Sequence, residues 1–200
     1  MRLDDESLVH MALEDSRNLI SLIPQEPHLF SGTLRFNLDP FNRHTDLEIW
    51  AALEDAHIRD YVSRDPLGLQ ALVEEGGKNF SVGQRQLLSL ARAILRRRPI
   101  VLMDEVSASI DYATDVLIQE TIRKSPALKD STIFTIAHRL RTIADSDYIL
   151  VISAGSLVEH GAPYDLLLKG EESPFRKLVE ESNEFDDILE LAKGAKSKCN

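Results

Sequence analysis

The chain has 200 residues, 43% hydrophobic and 28% charged, which supports one substantial core or two small ones and excludes a disordered or low-complexity chain. Its net charge of −10 excludes a nucleic-acid binder whose affinity rests on neutralising phosphates, but leaves room for a nucleotide, which needs only a local pocket of N–H groups and a few cations. The one cysteine, Cys199, excludes an internal disulfide and points to a reducing compartment.

Met1 to Asn18 is acidic and polar, without the apolar run of a signal peptide. Asn18 to Ile23 reads as a strand that ends at Pro24. Thr45 to Ala56 is helical, with Leu47, Ile49, Trp50 and Leu53 on one face. Ser81 to Arg98 is the clearest helix: Ser81 can cap it, and Leu87, Leu88, Leu90, Ala91, Ile94 and Leu95 recur at three and four. Ile100 to Met103 is a short all-apolar run, as expected of a strand buried on both faces. Asp115 to Lys124 reads as a helix, Thr132 to Ala137 and Tyr148 to Ile152 as strands, and Leu157 to Glu159 as an edge strand. Pro174 to Leu191 reads as one amphipathic helix, the eight acids between residues 171 and 190 as solvated surface, and 193–200 as a flexible tail. The longest apolar stretch, Tyr148 to Ile152, is far too short to cross a bilayer, so the chain reads as soluble. Strand and helix alternating in this order imply an α/β fold with a mostly parallel sheet flanked by helices.

Chemistry gathers in four places, each of which also has a bland reading. Ile100 to Glu105 is an apolar strand ending in two carboxylates, Asp104 and Glu105. At the carboxyl edge of a parallel sheet such an Asp can hold Mg²⁺ and such a Glu can polarise a water; alone, they could equally be two exposed acids. Glu74 to Gln86 places glycines, Ser81, Val82, Gly83 and Gln84 at a helix start, either an anion site or an ordinary capped turn. Gln25 follows a strand between two prolines, and His138 follows the run Thr132 to Ala137; singly, these are a loop glutamine and a structural histidine.

Their order gives them weight. Gln25, Ser81-Val82-Gly83-Gln84, Asp104-Glu105, Ser109-Ile110-Asp111 and His138 together resemble the series of ABC ATPases: Q-loop, signature motif, Walker B strand with its glutamate, D-loop and H-loop. The resemblance runs from about Asn18 to Leu168. The segment Asn37-Leu38-Asp39-Pro40-Phe41 is similar to the multidrug-resistance-associated (C) subfamily of exporters, and Glu105 to its second nucleotide-binding domain, since the first usually carries Asp there. Phe80 where Leu is usual, and Ile110 in the D-loop, are mild departures. The larger departure is that no Gly-x-x-x-x-Gly-Lys-Ser/Thr phosphate loop occurs: the pair Gly77-Lys78 has Leu72 and Asn79 where that pattern needs Gly and Ser/Thr.

The resemblance implies a P-loop NTPase-like ABC ATPase domain over residues 1–192, with a helical signature subdomain at about 33–98 and the N-terminal strands and Walker A loop lying upstream of Met1. It implies ATP and Mg²⁺ as ligands and a head-to-tail partner nucleotide-binding domain. It further implies the transmembrane domains of an exporter, and a place on the cytoplasmic face of a membrane. Gln25, Asp104, Glu105 and His138 would serve the site of the domain's own phosphate loop: Gln25 and Asp104 at the metal, Glu105 as base, His138 at the γ-phosphate. Ser81, Val82, Gly83, Gln84 and Asp111 would face the partner's nucleotide. The chain alone is then expected not to hydrolyse ATP. Two other functions compete, a non-catalytic module docking on another nucleotide-binding domain and a soluble ABC ATPase. Without upstream strands, Val101 and Met103 are expected to expose apolar surface at a free sheet edge.

Overall fold

Hydrophobic burial separates the chain into two units, Met1–Ile136 and Ala137–Asn200, each with its own core. The computed structural model describes residues 2–3, 6–7, 9–106, 110–137 and 139–196.

In the first unit, the short antiparallel pair β1 (Arg2–Leu3) and β2 (Glu6–Ser7) precedes α1 (Leu13–Leu19), which runs directly into β3 (Ile20–Ile23). The strand expected from Asn18 therefore starts two residues later, Asn18 and Leu19 forming the last turn of α1. Next come β4 (Gly32–Thr33), α2 (Leu34–Leu38), α3 (Asp46–Asp55), α4 (Arg59–Ser63) and β5 (Leu72–Val73), with β4 and β5 paired antiparallel. Then follow α5 (Val82–Arg96), β6 (Ile100–Asp104), α6 (Tyr112–Lys124) and β7 (Thr132–Ile136). Helix α3 starts as its sequence demands: the Thr45 hydroxyl accepts from Glu48 N–H while the Glu48 carboxylate accepts from Thr45 N–H, a reciprocal cap.

The main sheet has the order β3-β6-β7, all parallel, with Ile23 opposite Met103 and Asp104 opposite Ile136. Side chains alternate across it. Ile23, Val101 and Met103 point into the core shared with Leu87, Leu88 and Leu90 of α5 and Ile49 and Leu53 of α3. The expected exposure of Val101 and Met103 is thus corrected: they are 0% and 3% exposed, because β6 is the central strand and has a neighbour on each side. The edge strands are β3 and β7, and the uncovered apolar residues lie on the opposite face: Leu22 is 59%, Phe134 51% and Ile136 62% exposed.

In the second unit, β8 (Ile149–Ser153) and β9 (Ser156–Gly161) form a hairpin closed by Ala154 and Gly155, both at positive φ (48° and 76°), as a two-residue turn matched to strand twist requires. Helices α7 (Pro163–Leu168), α8 (Pro174–Glu181) and α9 (Phe185–Lys196) complete the unit around Leu166, Leu167, Phe175, Val179 and Ile188. The single helix expected from Pro174 to Leu191 is broken at Ser182–Glu184, where Asn183 turns left-handed (φ 59°) and the Ser182 hydroxyl accepts from Glu184 N–H. Residues 193–196 of the expected tail are helical; 197–200 lie outside the described residues. Among the described residues, no helix is long and apolar enough to cross a membrane.

Glu159 of β9 fastens α8 to the hairpin. Its buried carboxylate accepts from the Ser173 hydroxyl (2.8 Å), Phe175 N–H (3.0 Å) and the Lys169 ammonium (3.3 Å), so it caps the helix start from outside. Burial pushes this carboxyl upward, but those three donors together outweigh it and hold it below the usual range. A carboxyl lowered in the folded state stabilises it above the unfolded value, and that stabilisation is lost as pH falls through the folded value. Hydrogen-exchange protection of the α8 amides should therefore drop on acidification below about pH 4.5. Glu159→Gln should cost about 1 kcal/mol of that protection at neutral pH and flatten its pH dependence. Unchanged exchange in the variant would rule this out.

Candidate functional site

Because β3, β6 and β7 are parallel, their carboxyl ends meet at one edge, where a ligand finds free backbone groups and converging side chains. Chain leaves β3 through Pro24 to Gln25, and leaves β6 through Asp104 to Glu105. Eighty residues apart in sequence, the Gln25 side-chain amide donates to a Glu105 carboxylate oxygen at 2.9 Å. Glu105 sits in the left-handed region (φ 45°), a conformation that costs a non-glycine residue about 1 kcal/mol or more. Its backbone N–H donates to the Ile136 carbonyl of β7 at 3.0 Å, which pins the turn that carries the carboxylate. Asp104 is exposed beside it. His138 and Ser109 lie outside the described residues.

The second cluster is the start of α5. Ser81 and Gln84 form a reciprocal cap: the Ser81 hydroxyl accepts from Gln84 N–H (3.1 Å) and the Gln84 carbonyl oxygen accepts from Ser81 N–H (2.8 Å). Val82 and Gly83 occupy the first turn, where N–H groups have no partner within the helix and the dipole is positive. Gly83 is buried against Thr114, and a Cβ there would meet the Thr114 hydroxyl at 3.0 Å and its methyl at 3.1 Å. Thr114 in turn donates its hydroxyl (2.7 Å) and backbone N–H (3.0 Å) to Asp111, the N-cap of α6, and these bonds hold the Asp111 carboxyl below its usual range. Packing through Thr114 therefore joins the signature-like helix start to Asp111. Upstream, Gly77 (φ 70°) has no room for a side chain, since a Cβ would lie 2.8 Å from the Leu29 side chain.

Three residues that shape the site were not singled out as site residues in the sequence. Gln86, on the buried face of α5, donates to the carbonyls of Pro24 and Val106. Arg92 spans from α5 to the carbonyls of His28 and Asn37. Asn37, in the Asn-Leu-Asp-Pro-Phe string, is buried and accepts from Phe30 N–H while donating to the carbonyls of Phe30 and Thr33. A polar residue at a helical position whose period places it inward was the available signal for Gln86, three residues after Gly83 and four before Leu90.

As a metal set, the strand ends offer the carboxylates of Asp104 and Glu105 and the Gln25 amide. No group of three or more His, Cys, Asp or Glu that could hold a metal occurs among the described residues. These residues fit a cation that takes its remaining ligands from phosphate oxygens and water, as Mg²⁺ with a nucleotide does, and not a cation caged by protein alone.

Comparison with known proteins shows the family. The ABC transporter family model matches residues 1–108. The chain belongs to the ABC transporter family. Over 192 residues this ABC chain is 49% identical to the probable multidrug resistance-associated protein lethal(2)03659 of Drosophila melanogaster, covering 95% of the chain and 14% of that protein. It is 52% identical over 165 residues to ATP-binding cassette sub-family C member 2 of Rattus norvegicus, covering 82% of the chain and 11% of the relative. Human sub-family C member 4 is 48% identical over 192 residues, again with 95% and 14% covered. A bacterial Atm1-family ABC exporter solved with ATP bound superposes with a TM-score of 0.81 at 32% identity, over 90% of this chain and 31% of that one. The ABC ATPase fold and the likeness to C-subfamily exporters thus stand together, and the ABC chain spans a small part of each of these relatives.

Proposed function

We propose that this ABC chain supplies most of an ATP-hydrolysing domain of a multidrug-resistance-associated exporter, most similar to the second of its two nucleotide-binding domains. The observation that carries this reading is the Gln25–Glu105 hydrogen bond at the carboxyl edge of the parallel sheet. In this reading, residues 1–192 form part of one nucleotide-binding domain, which works against transmembrane domains on the cytoplasmic side. Gln25 and Asp104 would hold Mg²⁺, which would supply charge neutralisation at the transferring phosphoryl group. Gln25 also orients Glu105 toward a water. Glu105 takes the proton of that water as its oxygen bonds to the γ-phosphorus, while the bond from that phosphorus to the β–γ bridging oxygen breaks. His138 hydrogen-bonds the γ-phosphate. Ser81, Val82, Gly83 and Gln84 present the start of α5 to the nucleotide of a head-to-tail partner domain, with Asp111 beside them through Thr114.

The 200 residues contain no phosphate loop of the Gly-x-x-x-x-Gly-Lys-Ser/Thr pattern, so this polypeptide alone is expected neither to bind Mg-ATP at micromolar affinity nor to hydrolyse it. Mixed with a C-subfamily nucleotide-binding domain that has its own phosphate loop, it should form a complex that sediments as a heterodimer only when Mg-ATP is present. Micromolar binding of Mg-ATP by the chain alone, seen by calorimetry, would overturn the first expectation. Association independent of nucleotide would favour a docking module over a half-site.

A further inference from the structure

The backbone ladder between β3 and β6 ends at the pair Ile23–Met103, one residue short of Pro24 on one strand and of Asp104 on the other. Beyond that pair, a side chain takes over. Gln86 of α5 is 1% exposed, and its amide nitrogen donates to the Pro24 carbonyl at 3.2 Å and to the Val106 carbonyl at 3.2 Å. Pro24 immediately precedes Gln25 and Val106 immediately follows Glu105. One NH₂ group therefore links the backbone on either side of the Gln25–Glu105 bond, across sequence separations of 62 and 20 residues.

Chemistry fixes the orientation of this amide. Both neighbours are carbonyl oxygens, which only accept, so the nitrogen faces them; the reverse would bring three oxygens together. The Gln86 carbonyl oxygen is then left buried with no hydrogen-bond partner among the described residues. An unpaired buried acceptor detracts from stability, and an apolar side chain of the same size would pack there without that penalty. What the amide adds over such a side chain is its two donors, and both act on the site.

We infer that Gln86 is a positioning residue: its amide holds the Gln25 loop and the Glu105 turn at the separation that their hydrogen bond needs, and anchors both to α5. The importance of that separation for hydrolysis rests on the function proposed above, but the positioning itself does not. Removing the amide frees two carbonyls that then seek water, and the loop after Pro24 moves away from Glu105.

The test is ¹⁵N NMR of the 200-residue chain. In the wild type, the Gln25 side-chain NH₂ signals, assigned by their loss in Gln25→Ala, should lie away from the position of a solvated glutamine because of the bond to Glu105, and Glu105→Ala should move them to that position. In Gln86→Leu, the Gln25 signals should keep less than half of that wild-type displacement, while backbone signals of β3, β6 and α5 stay dispersed. Gln86→Met, unbranched and closer in length, is the second variant if Leu packs badly. A folded Leu or Met variant with the full wild-type displacement of the Gln25 signals would overturn the proposal. So would unfolding of both variants, which would make Gln86 a residue of folding and not of position. The readout needs no nucleotide, so an ABC chain that fails every ATP test could still show it, and the two ideas fail separately.

Discussion

In an assembled transporter whose domain carries this segment, Glu105→Gln should lower ATP turnover by about 10²- to 10⁴-fold, the range that general-base catalysis contributes. The glutamine keeps the volume, and its carbonyl oxygen can still accept from the Gln25 amide that now lies 2.9 Å from the carboxylate. What disappears is the capacity to take a proton, so kcat should fall while the nucleotide concentration for half-saturation stays within about threefold. Single-turnover hydrolysis beside equilibrium nucleotide binding would measure both. Retention of more than a tenth of wild-type turnover would remove Glu105 from the role of base. The backbone makes an independent prediction at the same position. At φ 45° a Cβ is strained, so Glu105→Gly should be more stable than Glu105→Ala by about 1 kcal/mol, although neither keeps the carboxylate. Strain held at a residue that could be relieved by glycine is what a site requiring a particular side chain would show.

How much of this was legible in the sequence depended on the range of the interaction. Long periodic segments were readable: α5 follows from leucines at three and four and a Ser cap, and β6 from an apolar run. Helices α2, α4 and α7, of five, five and six residues, are too short to establish a period, and they owe their shape to what they pack against. The place of β6 could not be read either, because strand order depends on crossovers and not on local pattern; Val101 and Met103 were expected at an edge and lie in the middle. Among site residues, the order of Gln25, Asp104 and Glu105 was visible, but their meeting was supplied by resemblance alone. The polar scaffold stayed hidden. Gln86, Arg92 and Asn37 bond to backbone carbonyls, which are present in every residue, so a sequence does not name their partners, even where the inward period of Gln86 marks the residue itself.

Arg92→Met should destabilise the first unit by about 2–3 kcal/mol. Arg92 donates to the Asn37 carbonyl (2.7 Å), the His28 carbonyl (3.0 Å) and the Asn37 side-chain oxygen (3.2 Å). Burial, with the neighbouring Arg96 charge adding to it, lowers its guanidinium to about 10, so it remains charged at neutral pH and its bonds are charge-assisted. Its partners organise the stretch from His28 to Leu38: Asn37 closes that loop through Phe30 and Thr33, and Arg92 fastens it to α5. Methionine fills the stem of the site but leaves the part-buried Asn37 carbonyl without its donor, while the His28 carbonyl can turn to water. Lysine keeps the charge but reaches one acceptor with a single ammonium, so Arg92→Lys should lose roughly half as much. Urea denaturation followed by the fluorescence of Trp50, the chain's single tryptophan, would measure both. A methionine variant within 1 kcal/mol of wild type would show that the loop is held by its apolar contacts alone. In that case Leu29, Leu34 and Leu38, buried in the same core as α5, would be the true anchors of the segment that begins three residues after Gln25.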